Sequence, residues 1–381
     1  MRVAFYAPLK PPSHAVASGD RTMARLLIAA LERAGHEVDI ASTLRSRDGQ
    51  GDPKRQCRLR RIGERLAKRF MRRANAVGRP PELWFTYHLY DKAADWIGPH
   101  VAERLAVPYV VAEASVSEKR RDGPWRQGYE AVLGALRRAE GVITLNSADL
   151  PGITQYVRRD RHHHLRPFIV TAPFAAARRA RREYRAALAA QYQLDPGIPW
   201  LIAVAMMRPG DKLASYRHLA TALAGLRDKS WQLLVIGDGA ARAEVREAFA
   251  RCARRVRWLG LLDREQIAAS LAACDLFAWP AINEAYGMAL LEAQAAGVAV
   301  LAGASGGVPD IVAHGETGWL TPPGDSMAFG AALSELIASP PACRAYGAAA
   351  AVRAAALHDI DVASRRLDEI LRRALEKARP R

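Results

Sequence analysis

Residues 283–318, NEAYGMALLEAQAAGVAVLAGASGGVPDIVAHGETG, decide the fold. They follow Cys274-Asp-Leu-Phe-Ala-Trp-Pro280, a short apolar run that reads as a buried strand stopped by proline. Asn283 and Glu284 then fall in a loop at the carboxyl end of that strand, the edge at which open α/β sheets bind ligands. Gly287 interrupts the loop, residues 288–296 are helix formers, and Gly297 ends the helix. The first-turn N–H groups of such a helix have no partner within it and can take hydroxyl or phosphate oxygens. Residues 298–301 form the next buried strand, and Ser305-Gly-Gly307 is the glycine-rich turn after it. Glu284 and Glu292, one before the helix and one inside it, can reach positions roughly 10 Å apart along a bound ligand, at ~1.5 Å rise per residue.

The spacing of Glu, seven residues, Glu, followed by G-V-A-V, G-G-V-P-D and H-G-E-T-G-W-L, resembles the carboxyl-terminal half of retaining glycosyltransferases of the GT-B fold, family 4. Two glutamates alone would be ordinary helix-start and helix-surface carboxylates. The ordered run of Gly297, Gly306, Gly307, Gly315, Gly318 and Leu320-Thr-Pro-Pro-Gly-Asp325 makes the resemblance specific. It implies that Glu284 faces the transferred sugar and that Glu292 holds the ribose hydroxyls of a nucleotide. Tyr286 and the N–H groups of Gly287, Met288 and Ala289 would line the same donor. Met206-Met-Arg-Pro-Gly-Asp-Lys212 follows the apolar run 200–205 and matches the loop in which the family places an arginine and, four residues on, a lysine. Arg208 and Lys212 would thus neutralise the donor diphosphate. Fixed cations there strengthen their attraction to the leaving group as the glycosidic bond breaks, which lowers the barrier. Gly237, in the turn Gly237-Asp-Gly239, joins the donor set.

The totals agree. At 381 residues the chain suggests two domains. Its four cysteines, Cys57, Cys252, Cys274 and Cys343, form no CxxC pair, which argues against a disulfide framework or zinc site and fits a reducing cytoplasm. The opening MRVAFYAPLKPP reads as a short strand ending in prolines rather than a signal peptide. No run approaches the ~20 apolar residues of a membrane span. A formal net charge of +17 implies an anionic partner: nucleotide, anionic lipid surface or nucleic acid. The last is disfavoured, because no helix-turn-helix, zinc-finger or RNP pattern appears and the basic residues are dispersed.

Along the chain, residues 3–7 form a first buried strand, a loop containing Gly19 follows, and a helix covers 22–34. In the resembled family a glycine in this loop lets the backbone approach the diphosphate or acceptor; Gly19 is the one glycine available, within S-G-D rather than the usual G-G. Residues 54–73 form a basic amphipathic helix with an apolar stripe of Leu59, Ile62, Leu66 and Phe70, suited either to an anionic membrane face or to docking on its own domain. Strands at 81–87, 108–112 and 141–145 end in polar tips carrying His88, Glu113 and Asn146, the rim of a cleft. Many family members have a histidine where this chain has Glu113, so Glu113 or His88 would take that acceptor-side role. His162, His163 and His164 read as a solvated loop, 167–174 as a strand, and 173–197 as the domain link. Asp359-Ile-Asp361 matches the metal-binding D-x-D of another transferase fold but follows no strand, and reads as accidental.

The resulting expectation is an α/β protein of two Rossmann-like doubly wound domains facing across a cleft. Residues 1–175 form the acceptor side, with a helix over 357–381 packing back on it, and 196–356 bind the nucleotide sugar. The resemblance implies a metal-independent, cofactor-free retaining transfer to a glycan, lipid-linked or small-molecule acceptor, in cell-surface polysaccharide or glycolipid synthesis. The enzyme would be cytoplasmic, peripheral on the inner membrane face through 54–73. The rivals are a nucleotide-sugar epimerase of the same fold and a basic nucleic-acid-binding protein; a phosphorylase would need a lysine for pyridoxal phosphate, and no clear site is present.

Overall fold

Twelve short strands, most of them the apolar runs of the chain, are formed among residues 1–16 and 18–378, the residues that this computed structural model describes. The chain divides into two compact units: Met1–Arg166 together with the chain from Ile360 onward, and Pro167–Asp359.

The first unit contains β1 (Arg2–Tyr6), β2 (Glu37–Ser42), β3 (Leu83–Tyr90), β4 (Tyr109–Ser115), β5 (Gly141–Thr144) and β6 (His162–His164). Their order is β2-β1-β3-β4-β5-β6, and every pairing is parallel. Helices on both faces bury β1, β3, β4 and β5, so those strands are almost wholly apolar. The order reverses between β1 and β3, where the loops diverge and leave a crevice. The helix Ile360–Ala378 lays Leu367, Ile370 and Leu371 on this unit, beside the helix Gly19–Arg33. Of the helix expected over 357–381, residues 379–381 lie outside the described part.

The basic helix runs from Pro53 to Ala76, capped by Asp52, whose carboxylate accepts from the Lys54 N–H at 2.9 Å. Its apolar stripe faces inward. Leu59, Ala67 and Phe70 are buried, and Phe70 meets Trp84 edge-on at 5.4 Å between centroids. Arg58, Arg61, Arg65, Lys68, Arg69 and Arg72 face solvent.

The second unit contains β7 (Trp200–Val204), β8 (Gln232–Ile236), β9 (Val256–Gly260), β10 (Leu276–Trp279), β11 (Ala299–Gly303) and β12 (Gly318–Thr321). The order is β12-β11-β10-β7-β8-β9, again all parallel. This is the doubly wound dinucleotide-fold order, reversing between β7 and β10.

Three expectations are corrected. The three histidines are not a loop: they form edge strand β6, paired to Val142, Ile143 and Thr144, with His163 buried. Residues 167–174 are not a strand. Ile169 makes a single bridge to Asp359, and Pro173 sits in the first turn of the helix Ala172–Arg179, a position that suits proline. The helix expected over 357–381 starts at Ile360: Leu357 ends the preceding helix, Pro340–Leu357, and the break falls where the buried His358 ring contacts the Pro167 carbonyl at 2.7 Å. The link read over 173–197 is mostly helical, and the helices Ala172–Arg179 and Arg181–Tyr192 pack on the helix Arg264–Ala273 of the second unit. Arg181 and Arg185 both bind Asp275, fixing that packing.

Candidate active site

The loops after β7 and β10 meet where the second sheet reverses its order. The β7 loop carries Arg208, exposed, and ends at Gly210, whose φ of +83° favours glycine. Gly210 begins the helix Asp211–Ala224, which puts Lys212 in its first turn. The β10 loop runs through Asn283 and Glu284 to Gly287, in the left-handed region at φ +72°, which begins the helix Met288–Ala295. Lys212 Nζ pairs with Glu284 Oε2, and the Trp279 indole N–H donates to the same oxygen at 3.1 Å. The ammonium also lies 5.6 Å from the Trp279 ring centroid. A second tie joins the loops: the Asn283 amide donates to Asp211 at 3.0 Å. A third runs from the Ile282 N–H to the Ser215 hydroxyl, also at 3.0 Å.

Neither helix start has a side-chain cap. Among the described residues, the N–H groups of Gly287, Met288 and Ala289 donate to no protein acceptor. They add the positive end of a helix dipole to the Lys212 cation, a setting made for an anion or a polarised hydroxyl. Tyr286 lies half-buried just before this start.

Two neighbouring turns hold the loops by close backbone approach. A Cβ at Gly237 would lie 1.9 Å from the Ala205 carbonyl, and one at Gly239 would lie 2.3 Å from that of Met207. A Cβ at Gly306 would lie 2.1 Å from the Glu284 carbonyl, and the Gly307 N–H donates to Ala285 at 2.9 Å. Gly237 therefore supports the β7 loop through its backbone. The carboxyl group of Glu292, half-buried on the helix Met288–Ala295, has no hydrogen-bond partner among the described residues. Burial pushes its carboxyl up to about 7, against the opposing pull of the Arg264 guanidinium. A carboxylate held this way gains from hydroxyl donors that a ligand would bring.

In the first unit, the crevice between β1 and β3 gathers a second polar group. Tyr87 pairs with Ala112 and Leu89 with Ala114, which sets His88 and Glu113 at one level of adjacent strands. Both have left-handed backbones, φ +62° and +59°, a strain of roughly 1–3 kcal/mol each for residues with a Cβ. His88 Nδ1 lies 3.2 Å from Asp20 and 3.8 Å from Glu113. Burial alone would lower the His88 pKa, but the Glu113 and Asp20 carboxylates outweigh it and the net shift is upward. Burial raises the Asp149 carboxyl, which also feels His88. Gly19 is the first residue of the helix Gly19–Arg33, capped by Ser18; nothing lies within 4 Å of where its Cβ would be, so the approach is open.

Lys212 and Glu284 are thus in direct contact, as are His88 and Asp20. Asp20 and Trp279 were not singled out from the sequence: Asp20 stands inside a helix start, and Trp279 reads as the last apolar residue of a strand. The two aspartates of D-x-D go to different units. Asp359 accepts from the Thr171 N–H at 3.2 Å, and Asp361 pairs with Arg33.

Residues 207–353 match the model of the family described as glycosyl transferases group 1. Among curated relatives, the GDP-mannose-dependent monoacylated alpha-(1-6)-phosphatidylinositol monomannoside mannosyltransferase of Corynebacterium glutamicum is 35% identical over 147 residues, 37% of this chain and 38% of that one. The alpha-maltose-1-phosphate synthase of Mycobacterium tuberculosis is 30% identical over 268 residues, 63% of this chain and 66% of that one. The chain spans little more than a third of the first curated relatives it matches. Among solved structures, sucrose-phosphate synthase from Thermosynechococcus elongatus superposes with a TM-score of 0.73 at 21% identity, covering 99% of both chains. Anabaena HepE in complex with UDP-glucose gives 0.68 at 17% identity, covering 98% of this chain and 99% of that one. These structural likenesses carry the fold. Through residues 207–353, on two parallel α/β sheets of the GT-B kind, the chain belongs to the glycosyl transferases group 1 family.

Proposed function

We propose that the chain is a retaining, metal-independent glycosyltransferase that moves a sugar from a nucleoside-diphosphate donor to a glycan, lipid-linked or small-molecule acceptor. The observation that carries this is the Lys212–Glu284 pair, set between two uncapped helix starts at the strand-order reversal. In this reading Lys212 and Arg208 take the diphosphate, Glu292 the ribose and Glu284 the sugar hydroxyls, beside the free N–H groups of 287–289. The bond from the anomeric carbon to the diphosphate breaks while the acceptor oxygen attacks from the same face. The acceptor proton passes to the departing phosphate oxygen, so no nucleophilic side chain is required. Charge grows on the leaving group, where Lys212, Arg208 and the helix dipoles stabilise it most. His88, Glu113 and Asp20 are the acceptor-side groups.

The mannosyltransferase relative is GDP-mannose-dependent and the HepE complex holds UDP-glucose, so the base remains to be chosen by experiment. A thermal-shift screen across UDP-, GDP- and ADP-sugars does so, because a ligand at ~100 times its dissociation constant adds about 2.7 kcal/mol. Transfer that survives Glu284→Ala unchanged would end the proposal.

No described helix is long and apolar enough to cross a membrane. A cytoplasmic enzyme with a lipid-linked acceptor would meet the membrane through the basic face of Pro53–Ala76. That contact would be electrostatic rather than inserted, because the apolar stripe is already buried in its own unit.

A further inference from the structure

The second unit has a basic recess at the amino-terminal edge of its sheet, the edge away from Lys212 and Glu284. Its walls are the last turn of the helix Asp211–Ala224, Trp231 just before β8, and the segment Ala250–Arg255 just before β9. Lys212 stands in the first turn of that same helix, and 14 residues at ~1.5 Å each put the two ends roughly 20 Å apart. The recess holds about 600 Å³, within the roughly 300–1,000 Å³ of small-molecule sites.

Among the described residues, four arginines line it and no carboxylate does. Arg255 is fixed in place: its guanidinium donates to the carbonyls of Lys229 at 2.7 Å, Arg227 at 2.9 Å and Leu226 at 3.2 Å, and stacks 5.0 Å from the Trp231 ring centroid. Arg227, Arg251 and Arg254 are exposed, and among the described residues none of the three forms an ion pair. Guanidinium groups lining one recess repel one another less when an anion sits among them, and their planar forks match phosphate oxygens two at a time. Leu223 and Ala224 supply an apolar floor for the carbon skeleton of a ligand.

We propose that this recess binds a small soluble phosphate monoester, at a place distinct from the donor site. The inference stands whether or not the chain transfers sugars. Calorimetric titration of the full chain with glucose 6-phosphate at low ionic strength tests it, with glucose and phosphatidate vesicles as companion probes. The expected result is one saturable site for glucose 6-phosphate and none for glucose. Replacing both exposed arginines (Arg227→Gln with Arg254→Gln) should weaken binding about tenfold or more, whereas Lys212→Ala should leave it unchanged. Loss of binding in Lys212→Ala with retention in the double variant would assign the phosphate to the donor site and overturn the proposal. Absence of a saturable site, or binding to the vesicles alone, would overturn it as well.

Discussion

Replacing Glu292 by glutamine separates what this carboxylate does to the fold from what it does for a ligand. Burial raises its pKa from 4.5 to about 7. A carboxyl whose folded pKa lies above its unfolded value binds more protons folded than unfolded. Its contribution to stability is therefore fully present below about pH 4.5 and is lost as pH rises through about 7. At about 1.4 kcal/mol per pH unit, the ionised form costs the fold at most about 3 kcal/mol at pH 8, and less to the extent that water reaches this half-buried group. Glutamine keeps the shape and cannot ionise. Glu292→Gln should therefore be more stable than wild type by about 1–3 kcal/mol at pH 8, with about a quarter of that gain left at pH 5. Donor affinity should move the other way. Across pH 6 to 8 the ionised fraction climbs from about one tenth to nine tenths, so wild-type affinity for a nucleotide sugar should improve roughly tenfold. The variant should bind more weakly and show no such slope. Urea unfolding at pH 5 and 8, with calorimetric titration of the best donor from the screen, reads both effects. A variant less stable than wild type at pH 8 would refute the burial argument. One with wild-type affinity at that pH would remove Glu292 from the donor site.

Gly306→Ala should lower thermal stability by about 1–3 kcal/mol and weaken donor binding, since its new Cβ must push the Glu284 carbonyl away at a φ of +51°. Gly315→Ala, at φ +76° with open space around it, is the control that carries backbone strain alone; equal losses would dismiss the close approach. Burial, then the charges of Arg366, Lys377 and Arg373, lower His163 from 6.5 to about 4. The unfolded chain binds the proton first, so hydrogen-exchange protection of β5 and β6 should fall as pH drops from 6.5 through 4, and His163→Gln should flatten that fall. Flotation with anionic vesicles should capture the chain at low salt and release it at high salt; capture that resists salt would indicate insertion and contradict the inward stripe of Pro53–Ala76. Lys212→Ala and Glu284→Gln should each cut kcat/KM by about 100-fold, and the double variant should lose far less than the product, because the two side chains act as one pair.

The parallel strands were readable because burial on both faces leaves uninterrupted apolar runs, as at 200–205 and, stopped by Pro280, at 276–280. Strand β6 was hidden because nothing in three histidines favours a strand; its backbone is extended by pairing with β5 at the sheet edge. Residues 167–174 misled for the converse reason: they are apolar, but the partner of Ile169 is Asp359, 190 positions later, and Pro173 starts a helix. The candidate residues of the second unit were legible one by one from local glycine and charge spacing. Their pairing was not, because Lys212 and Glu284 are 72 residues apart and meet only through the order of the strands. Asp20 and His88 were separated in the same way, and only the reversal between β1 and β3 brings them together.

The first unit borrows its covering helix, Ile360–Ala378, from chain that is made after the whole of the second unit. At roughly 5–20 residues per second, the ribosome needs roughly 10–40 s to pass through the intervening segment. For that interval the ground destined for Leu367, Ile370 and Leu371 is bare on the nascent protein. Newly made chains should therefore lean on chaperones at that patch, and premature stops upstream of residue 360 should yield aggregates instead of a usable half.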